Sequence, residues 1–483
     1  MDIRLKNIGI IKDSSIRLDG LTVITGANNS GKTTVGKVVY SLLDAVSNLS
    51  SKAENDRYTY VVETLGDIRD KLTTVFKIRR FHYNGEGVFL KDSAIDYLLS
   101  DADRLNKYGD AEEFSHRLRN ELAEFDVNSI DENSILFGNY KKFSIRSNTD
   151  IDLFRDSIRN GINEVISIID KMFVDIKQDP ELIDYAREII NQTLNVEFSK
   201  QIQPVKVDVE SSTIEMSDNN KVMFAFDIVQ NEIVNDGNPV FEYSSYKKIY
   251  FIDNPFILDS VLYRRRYPHD FDNIKTILNS GRIIPHEMKL NLVLKRIKQT
   301  TIFKETIIDN GLSLIKEKID EVISGDFEFS SDGEFYVKDG KKLHITNLAT
   351  GSKMFSILKI LLDKGEIDET TFLILDEPEA HLHPSWQNKF AEVIVLLVKY
   401  LNTQVLLTSH SPNFVLAIDA YMRKYDIIDK TNFYQTNCLD DGLVEYVNVN
   451  DDLGQIYSDF MRYLSEVKQL RDYYYNLGEN HDS

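Results

Sequence analysis

Two kinds of hydrophobic pattern succeed one another along the chain, and the changes between them suggest its organisation. Residues 3 to 25 run as short apolar stretches broken by turn residues, IRLKNIGII, KDSSIRLDG and LTVIT, which predicts strands. Immediately after a glycine-rich turn, Val35, Val38, Val39, Leu42, Leu43 and Val46 fall on one face of a helix. From residue 50 to 200 helical stripes prevail, with Val61, Leu65, Ile68, Leu72 and Val75 at heptad-like spacing, and Ile158, Ile162, Val165, Ile169 and Met172 likewise. Each run lasts only about two heptads, whereas a long coiled-coil arm needs a sustained seam, so the expectation is a compact helical insertion.

Strand signals return between 203 and 252. Val205, Val207 and Val209 alternate with polar residues, SDNN and NDGN supply turns, and Ile249 to Ile252 reads as a buried strand. Helical periodicity follows from 270 to 323, and then two Asp-Gly turns, at Asp332 and Asp339, separate alternating strands and predict a three-stranded meander. A helix with Phe355, Ile357, Leu358, Leu361 and Leu362 comes next. Phe372 to Leu375 is apolar without alternation, as in a parallel strand covered on both faces. An apolar helix from Trp386 to Leu401, a second buried strand from Gln404 to Thr408 and a helix-like tail from Ile456 to Leu470 complete the pattern. The expected divisions are 1–50, 51–200 (helical), 201–260 (strand-rich), 261–325 (helical), 326–450 and a tail of 451–483. The fold class is α/β: a mixed or parallel sheet flanked by helices, with an inserted, mainly helical region.

Candidate chemistry sits where strands end. Gly26-Ala27-Asn28-Asn29-Ser30-Gly31-Lys32-Thr33, followed by Thr34, fits the phosphate-binding pattern G-x-x-x-x-G-K-[ST] with a strand before it and a helix after. Glycines let the backbone N–H groups turn inward onto phosphate, and the helix adds its positive end. Lys32 is expected to reach the β- and γ-phosphates and Thr33 to ligate Mg2+. Asp376 and Glu377 close the FLIL strand, at the edge where open α/β sheets bind ligands. Their carboxylates suit a Mg2+ ion carrying phosphate. Leu348-Ala349-Thr350-Gly351-Ser352-Lys353 opens a helix and is a second anion-binding candidate, and His410 closes the QVLLT strand within reach of a γ-phosphate.

Charge and composition narrow the partners. With Lys+Arg 57 against Asp+Glu 77 the net charge is −20, so DNA contact requires a local basic patch. Arg264, Arg265 and Arg266, with Lys275, Lys289, Lys295, Arg296 and Lys298, form the best one. The single cysteine, Cys438, excludes internal disulfides and cysteine zinc sites and fits a reducing, cytoplasmic setting. No apolar run approaches the roughly 20 residues of a membrane-spanning helix, so no membrane partner is expected.

The ordered set GANNSGKT, LATGSK, FLILDEPEAHLHP and TSHSP resembles ATP-binding-cassette ATPase heads, and within them the overcoming-lysogenization-defect and RecF-like branch, including ATPase subunits of bacterial anti-phage defence systems. The likeness covers residues 1–50 and 326–425. It implies ATP and Mg2+ as ligands, Lys32 and Thr33 on phosphate and metal, Asp376 as a metal-side carboxylate, Glu377 as the base that polarises water, and His410 as the γ-phosphate sensor. It also implies that the loop from Leu348 through Ala349, Thr350, Gly351 and Ser352 acts on nucleotide held by a second copy, in a homodimer or higher oligomer. Ala349 departs from the usual serine, and Asp253 and Asn254 are the candidates for a glutamine-loop position. With 73 residues after His410 and no metal constellation among them, no nuclease is expected in this chain. The implied role is a regulatory ATPase acting on a separately encoded effector; the alternative is a RecF-like DNA clamp in replication or repair.

Overall fold

The computed structural model describes residues 1–78, 88–90, 108–129, 135–137, 148–177, 182–219, 221–234, 245–259, 283–295, 310–330 and 333–479. In chain order these form β1 (Asp2–Ile8), β2 (Ile11–Arg17), β3 (Leu21–Thr25), α1 (Lys32–Val46), α2 (Leu49–Phe76), β4 (Lys77–Ile78), β5 (Val88–Leu90), α3 (Tyr108–Glu124), β6 (Ile135–Phe137), α4 (Asn148–Lys177) and α5 (Leu182–Glu197). Then follow β7 (Ser212–Asp218), β8 (Lys221–Val229), β9 (Glu232–Val234), β10 (Lys248–Ile252), α6 (His286–Lys295), α7 (Asn310–Asp320), β11 (Asp326–Ser330), β12 (Gly333–Lys338), β13 (Lys341–His344) and α8 (Thr350–Asp363). The chain continues as β14 (Thr371–Asp376), α9 (Pro384–Leu401), β15 (Gln404–Ser409), α10 (Pro412–Lys424), β16 (Thr431–Cys438), β17 (Val444–Asn448) and α11 (Gly454–Glu479).

Contacts divide the chain into two units. The larger takes the described residues of 1–49, 183–278 and 283–483 and is built on a mixed sheet of 11 strands in the order β10-β14-β15-β3-β16-β17-β2-β1-β7-β8-β9. Neighbours from β10 through β16 run parallel. From β2 to β9 the pairs are antiparallel hairpins and meanders. Side chains on a strand alternate between the faces, and here both faces are dry. Val23, Leu373, Leu375 and Leu407 join a core with α6 to α10 on one side, and Ile24, Phe372, Ile374 and Leu406 join a core with α1 and α5 on the other. That double burial explains why FLIL and VLL read as unbroken apolar runs.

The second unit takes the described residues of 50–182. Its core is the pair of stripes seen in the sequence, Val61, Leu65, Ile68 and Leu72 with Ile158, Ile162, Val165, Ile169 and Met172, joined by Phe114, Leu118 and Leu122 of α3.

Several local expectations meet a different outcome. The 205–209 alternation forms no strand: Val205 is 82% exposed. Its flank is tied down instead, because the Ile202 carbonyl accepts from Gly9 N–H and Asn231 Oδ1 accepts from the N–H groups of Ile202 and Gln203. The region expected to be mainly helical also contains a small sheet, β4-β5-β6, from strands of two and three residues, too short to show a period. Helix α5, within the stretch expected as insertion, packs its Ala186, Ile189, Ile190 and Leu194 in the core of the larger unit. The meander around Asp339-Gly340 forms as β11-β12-β13, a separate sheet; Asp332 and the NDGN turn lie outside the described residues.

Candidate functional site

Parallel registration brings four strand ends together. Asp376 pairs with Thr408, Ser409 with Thr25, and Ile252 with Leu375. The residues that follow, Gly26, Glu377, His410 and Asp253, therefore leave the sheet along one edge.

The loop from Gly26 to Gly31 needs its glycines. Gly31 has φ +78° and is the first residue before α1, with no side chain capping the helix. A Cβ on Gly26 would stand 1.8 Å from Thr436 Oγ1. The first amides of α1 have no side-chain acceptor, so they are open to an anion. Ser30 Oγ is buried without a hydrogen-bond partner among the described residues, and Tyr446 braces the loop by donating to the Ser30 carbonyl at 3.1 Å. An orphaned hydroxyl in a cradle of free amides fits phosphate.

Lys32 is 4% exposed; its Nζ donates to the carbonyls of Gly26 (3.1 Å) and Ala27 (2.8 Å) and lies 3.1 Å from Glu377 Oε1. Thr33 Oγ1 donates to Asp376 Oδ2 at 2.5 Å, and Thr408 Oγ1 donates to Asp376 Oδ1. Burial pushes the Asp376 carboxyl up, against those two hydrogen bonds, and the nearby Glu377 and Asp253 charges add to the rise. A hydroxyl beside a carboxylate crowded by two others is a hard-oxygen donor set suited to Mg2+.

Glu377 adopts φ +48°, a left-handed backbone unusual for a residue with a Cβ. Its N–H donates to Thr408, to Oγ1 at 3.0 Å and to the carbonyl at 3.2 Å. This turn aims the carboxylate back between Lys32 and His410, whose Nδ1 stands 3.1 Å from Glu377 Oε2 without hydrogen-bond geometry. Such contacts are often unaligned before substrate binds. His410 is itself fixed from behind: Glu379, 1% exposed, accepts from Ser409 Oγ (2.5 Å) and His410 N–H (3.2 Å), and burial pushes its carboxyl up. Gln387 Oε1 accepts from Ser411 Oγ at 3.0 Å and completes the support.

The chain from residue 1 to 415 matches the AAA_15 family, described as an AAA ATPase domain. The chain belongs to that family. Among curated proteins none matches in sequence. Solved structures with some likeness are an SMC head domain from Thermotoga maritima (12% identity, 93% of this chain and 98% of that one, TM-score 0.33) and an SMC head bound to the C-terminal winged-helix domain of ScpA (13%, 92% and 96%, TM-score 0.34). A third is an Smc head with an extended coiled coil, bound to the C-terminal domain of ScpA from Pyrococcus furiosus (9%, 97% and 98%, TM-score 0.30). These likenesses are too distant to carry function.

For an AAA ATPase domain the expected residues divide into two groups. Lys32, Thr33, Asp376, Glu377 and His410 converge as described, and Thr34 closes the first turn on the Gly31 carbonyl. Leu348 to Ser352 stand apart: among the described residues no hydrogen bond or ion pair joins them to residues 26–34. They begin α8, where Lys353 holds Asp259 (2.6 and 2.7 Å) and the Thr346 carbonyl, while Gly351 packs near the His381 carbonyl and Trp386. Of the basic residues proposed for DNA, Lys289 pairs with Asp44 and Lys295 lies 3.4 Å from Glu334; the others lie outside the described residues. Sequence reasoning missed Thr408, Glu379, Gln387 and Tyr446. The first two stand inside the quoted motifs but carry no spacing rule of their own, and Tyr446 reaches the loop only through sheet pairing.

Asp253, beside Asp376, meets His286 of α6. His286 Nδ1 lies 2.6 Å from Glu197 Oε2, its N–H donates to Glu197 Oε1 at 2.9 Å, and its Nε2 is 3.2 Å from Asp253 Oδ2. Burial works against a proton on this ring, but the Asp253 and Glu197 carboxylates outweigh it and raise its pKa to about 9.

Proposed function

We propose that this chain binds and hydrolyses ATP with Mg2+, closes as a homodimer or higher oligomer around the nucleotide, and through that cycle regulates a separately encoded effector, a nuclease or toxin of a bacterial anti-phage defence system. The observation that carries the ATPase reading is the convergence of Lys32, Thr33, Asp376, Glu377 and His410 on one sheet edge in a member of an ATPase domain family. The regulatory role rests on the motif resemblance. Supporting the dimer is the separation of residues 348–352 from the chain's own phosphate loop, as needed for a loop that serves a partner's nucleotide.

The Lys32 ammonium is held by two loop carbonyls and Glu377. Phosphate oxygens are stronger partners for it, so nucleotide binding releases Glu377 toward water. Glu377 then takes a proton from the attacking water as the oxygen–phosphorus bond forms and the bond from phosphorus to the ADP oxygen breaks. His410 orients the carboxylate and stands where the γ-phosphate arrives. Thr33 and Asp376 would hold Mg2+, which neutralises developing charge on the phosphates. Hydrolysis would remove the contacts that favour the closed form.

The test is native mass measurement of tagged protein purified from its own locus, with and without ATP and Mg2+, for wild type and Glu377→Gln. The expected result is a nucleotide-dependent mass increase, sharper in the variant, with a stoichiometric second polypeptide. An unchanged mass in ATP contradicts the sandwich, and a lone chain that associates only with DNA contradicts the effector role.

A further inference from the structure

The Asp253–His286 contact cannot stand as two free acceptors. Glu197 receives both the backbone N–H and the ring Nδ1–H of His286, which leaves Nε2 as the nitrogen turned toward Asp253. Nε2 stands 3.2 Å from the Asp253 carboxylate without hydrogen-bond geometry among the described residues. At this distance either a proton or a metal ion lies between the nitrogen and the carboxylate, and a metal ion binds there by displacing the proton. The side chain is 8% exposed, clamped by Phe251 stacked at 4.4 Å and Tyr40 edge-on at 5.7 Å, so the ring cannot turn away.

We propose that Asp253, His286 Nε2 and Glu287 form a divalent transition-metal site, with Glu197 as the carboxylate that orients the histidine. The three side chains place one ligand atom each within 4.8 Å of one another. For metal bonds of about 2.1 Å, ligands 3.2 Å apart subtend about 100° at the ion, within ordinary coordination angles. Glu287 is exposed, so its side chain can close the remaining gap without disturbing the core. One imidazole nitrogen and two carboxylate oxygens, with no sulfur, suit Mn2+ or Zn2+. The carboxylate–histidine pairing supplied by Glu197 is the usual support of a ligating imidazole.

This site is separate from the Thr33–Asp376 pair, since it draws on β10 and the start of α6. The two are adjacent: Ile252 pairs with Leu375, so Asp253 and Asp376 leave neighbouring strands side by side, and the Asp253 charge acts on Asp376. An ion here would relieve that repulsion and tie α5 and α6 to the edge on which the nucleotide residues converge.

The experiment uses full-length protein stripped with chelator and titrated with Mn2+ without nucleotide, read by electron paramagnetic resonance in an Asp376→Asn background that removes the neighbouring donor. The expected result is one Mn2+ per chain with an imidazole 14N coupling. Affinity falls at least tenfold in Glu287→Gln, and 10- to 100-fold in Glu197→Gln, and the 14N coupling vanishes in His286→Gln. Because Glu287 is exposed, its variant keeps the test valid should the buried ones fail to fold. No bound ion, or binding that is indifferent to Glu287→Gln and lacks the nitrogen coupling, overturns the proposal and leaves a proton bridging His286 and Asp253. Neither outcome depends on ATP turnover, so the proposed function stands or falls separately.

Discussion

Glu377 occupies a left-handed backbone, φ +48°, at the residue that bears the candidate base. An L-residue there costs roughly 1–2 kcal/mol from Cβ crowding against the following carbonyl. Replacing Glu377 by Ala or by Gly removes the same side chain and loses the same contacts with Lys32 and His410, so those losses cancel in the comparison. At an ordinary loop position Ala is the more stable, by about 0.4–1 kcal/mol, because Gly leaves a freer unfolded chain. Here the backbone term exceeds that entropy, and Glu377→Gly should be more stable than Glu377→Ala by about 0.5–1 kcal/mol. The chain has one tryptophan, Trp386, at the start of α9, and its fluorescence during urea unfolding reports on this unit. A higher urea midpoint for Ala than for Gly, at equal slopes, would refute the claim that strain is held at this turn. Both variants should lack turnover, which separates the stability effect from the chemistry.

Thr408→Val removes the hydroxyl that donates to Asp376 and accepts from Glu377 N–H; it should cost about 1–2 kcal/mol in urea unfolding and lower kcat more than it raises KM. Gly26→Ala puts a Cβ 1.8 Å from Thr436 Oγ1, so nucleotide affinity measured by calorimetry should collapse, and Thr436→Ala in the same chain should restore part of it. Burial pushes the Glu392 carboxyl up, but hydrogen bonds from Lys424 (2.6 Å) and Tyr425 (2.5 Å) prevail and hold it below the usual range. A lowered folded pKa gives stability that is present above the unfolded value and lost as pH falls through the folded one. The gap in urea midpoint between wild type and Glu392→Gln should therefore be largest at neutral pH and vanish in acid.

The parallel half of the sheet and the residues at its edge were legible because one physical cause writes both. A strand buried on two faces is largely apolar, and the first ionisable residue after its apolar run marks where it emerges, at Asp376 and at His410. Val205 to Val209 shows the limit: alternation records a face that could be buried, while a strand also needs a partner for its backbone, and here Gly9 and Asn231 tie down the flank at Ile202 and Gln203 rather than pairing with the alternating stretch. Strands as short as Lys77–Ile78 leave no period to read. Thr408 and Glu379 act through contacts set by sheet registration and buried packing, which neighbouring letters do not encode. The His286 cluster joins residues from positions 197, 253, 286 and 287, and only the folding of α5 and α6 against β10 brings them together.

The central claim is that Glu377, set between Lys32 and His410, is the base of an ATPase. Its most direct measurement is single-turnover cleavage of ATP labelled in the γ-phosphate by wild type and by Glu377→Gln, alongside their affinity for ATP. The account predicts cleavage by wild type, and in the variant retained affinity with cleavage slowed by at least a factor of roughly 10². Equal cleavage in the two proteins, or loss of ATP binding in the variant, would contradict it.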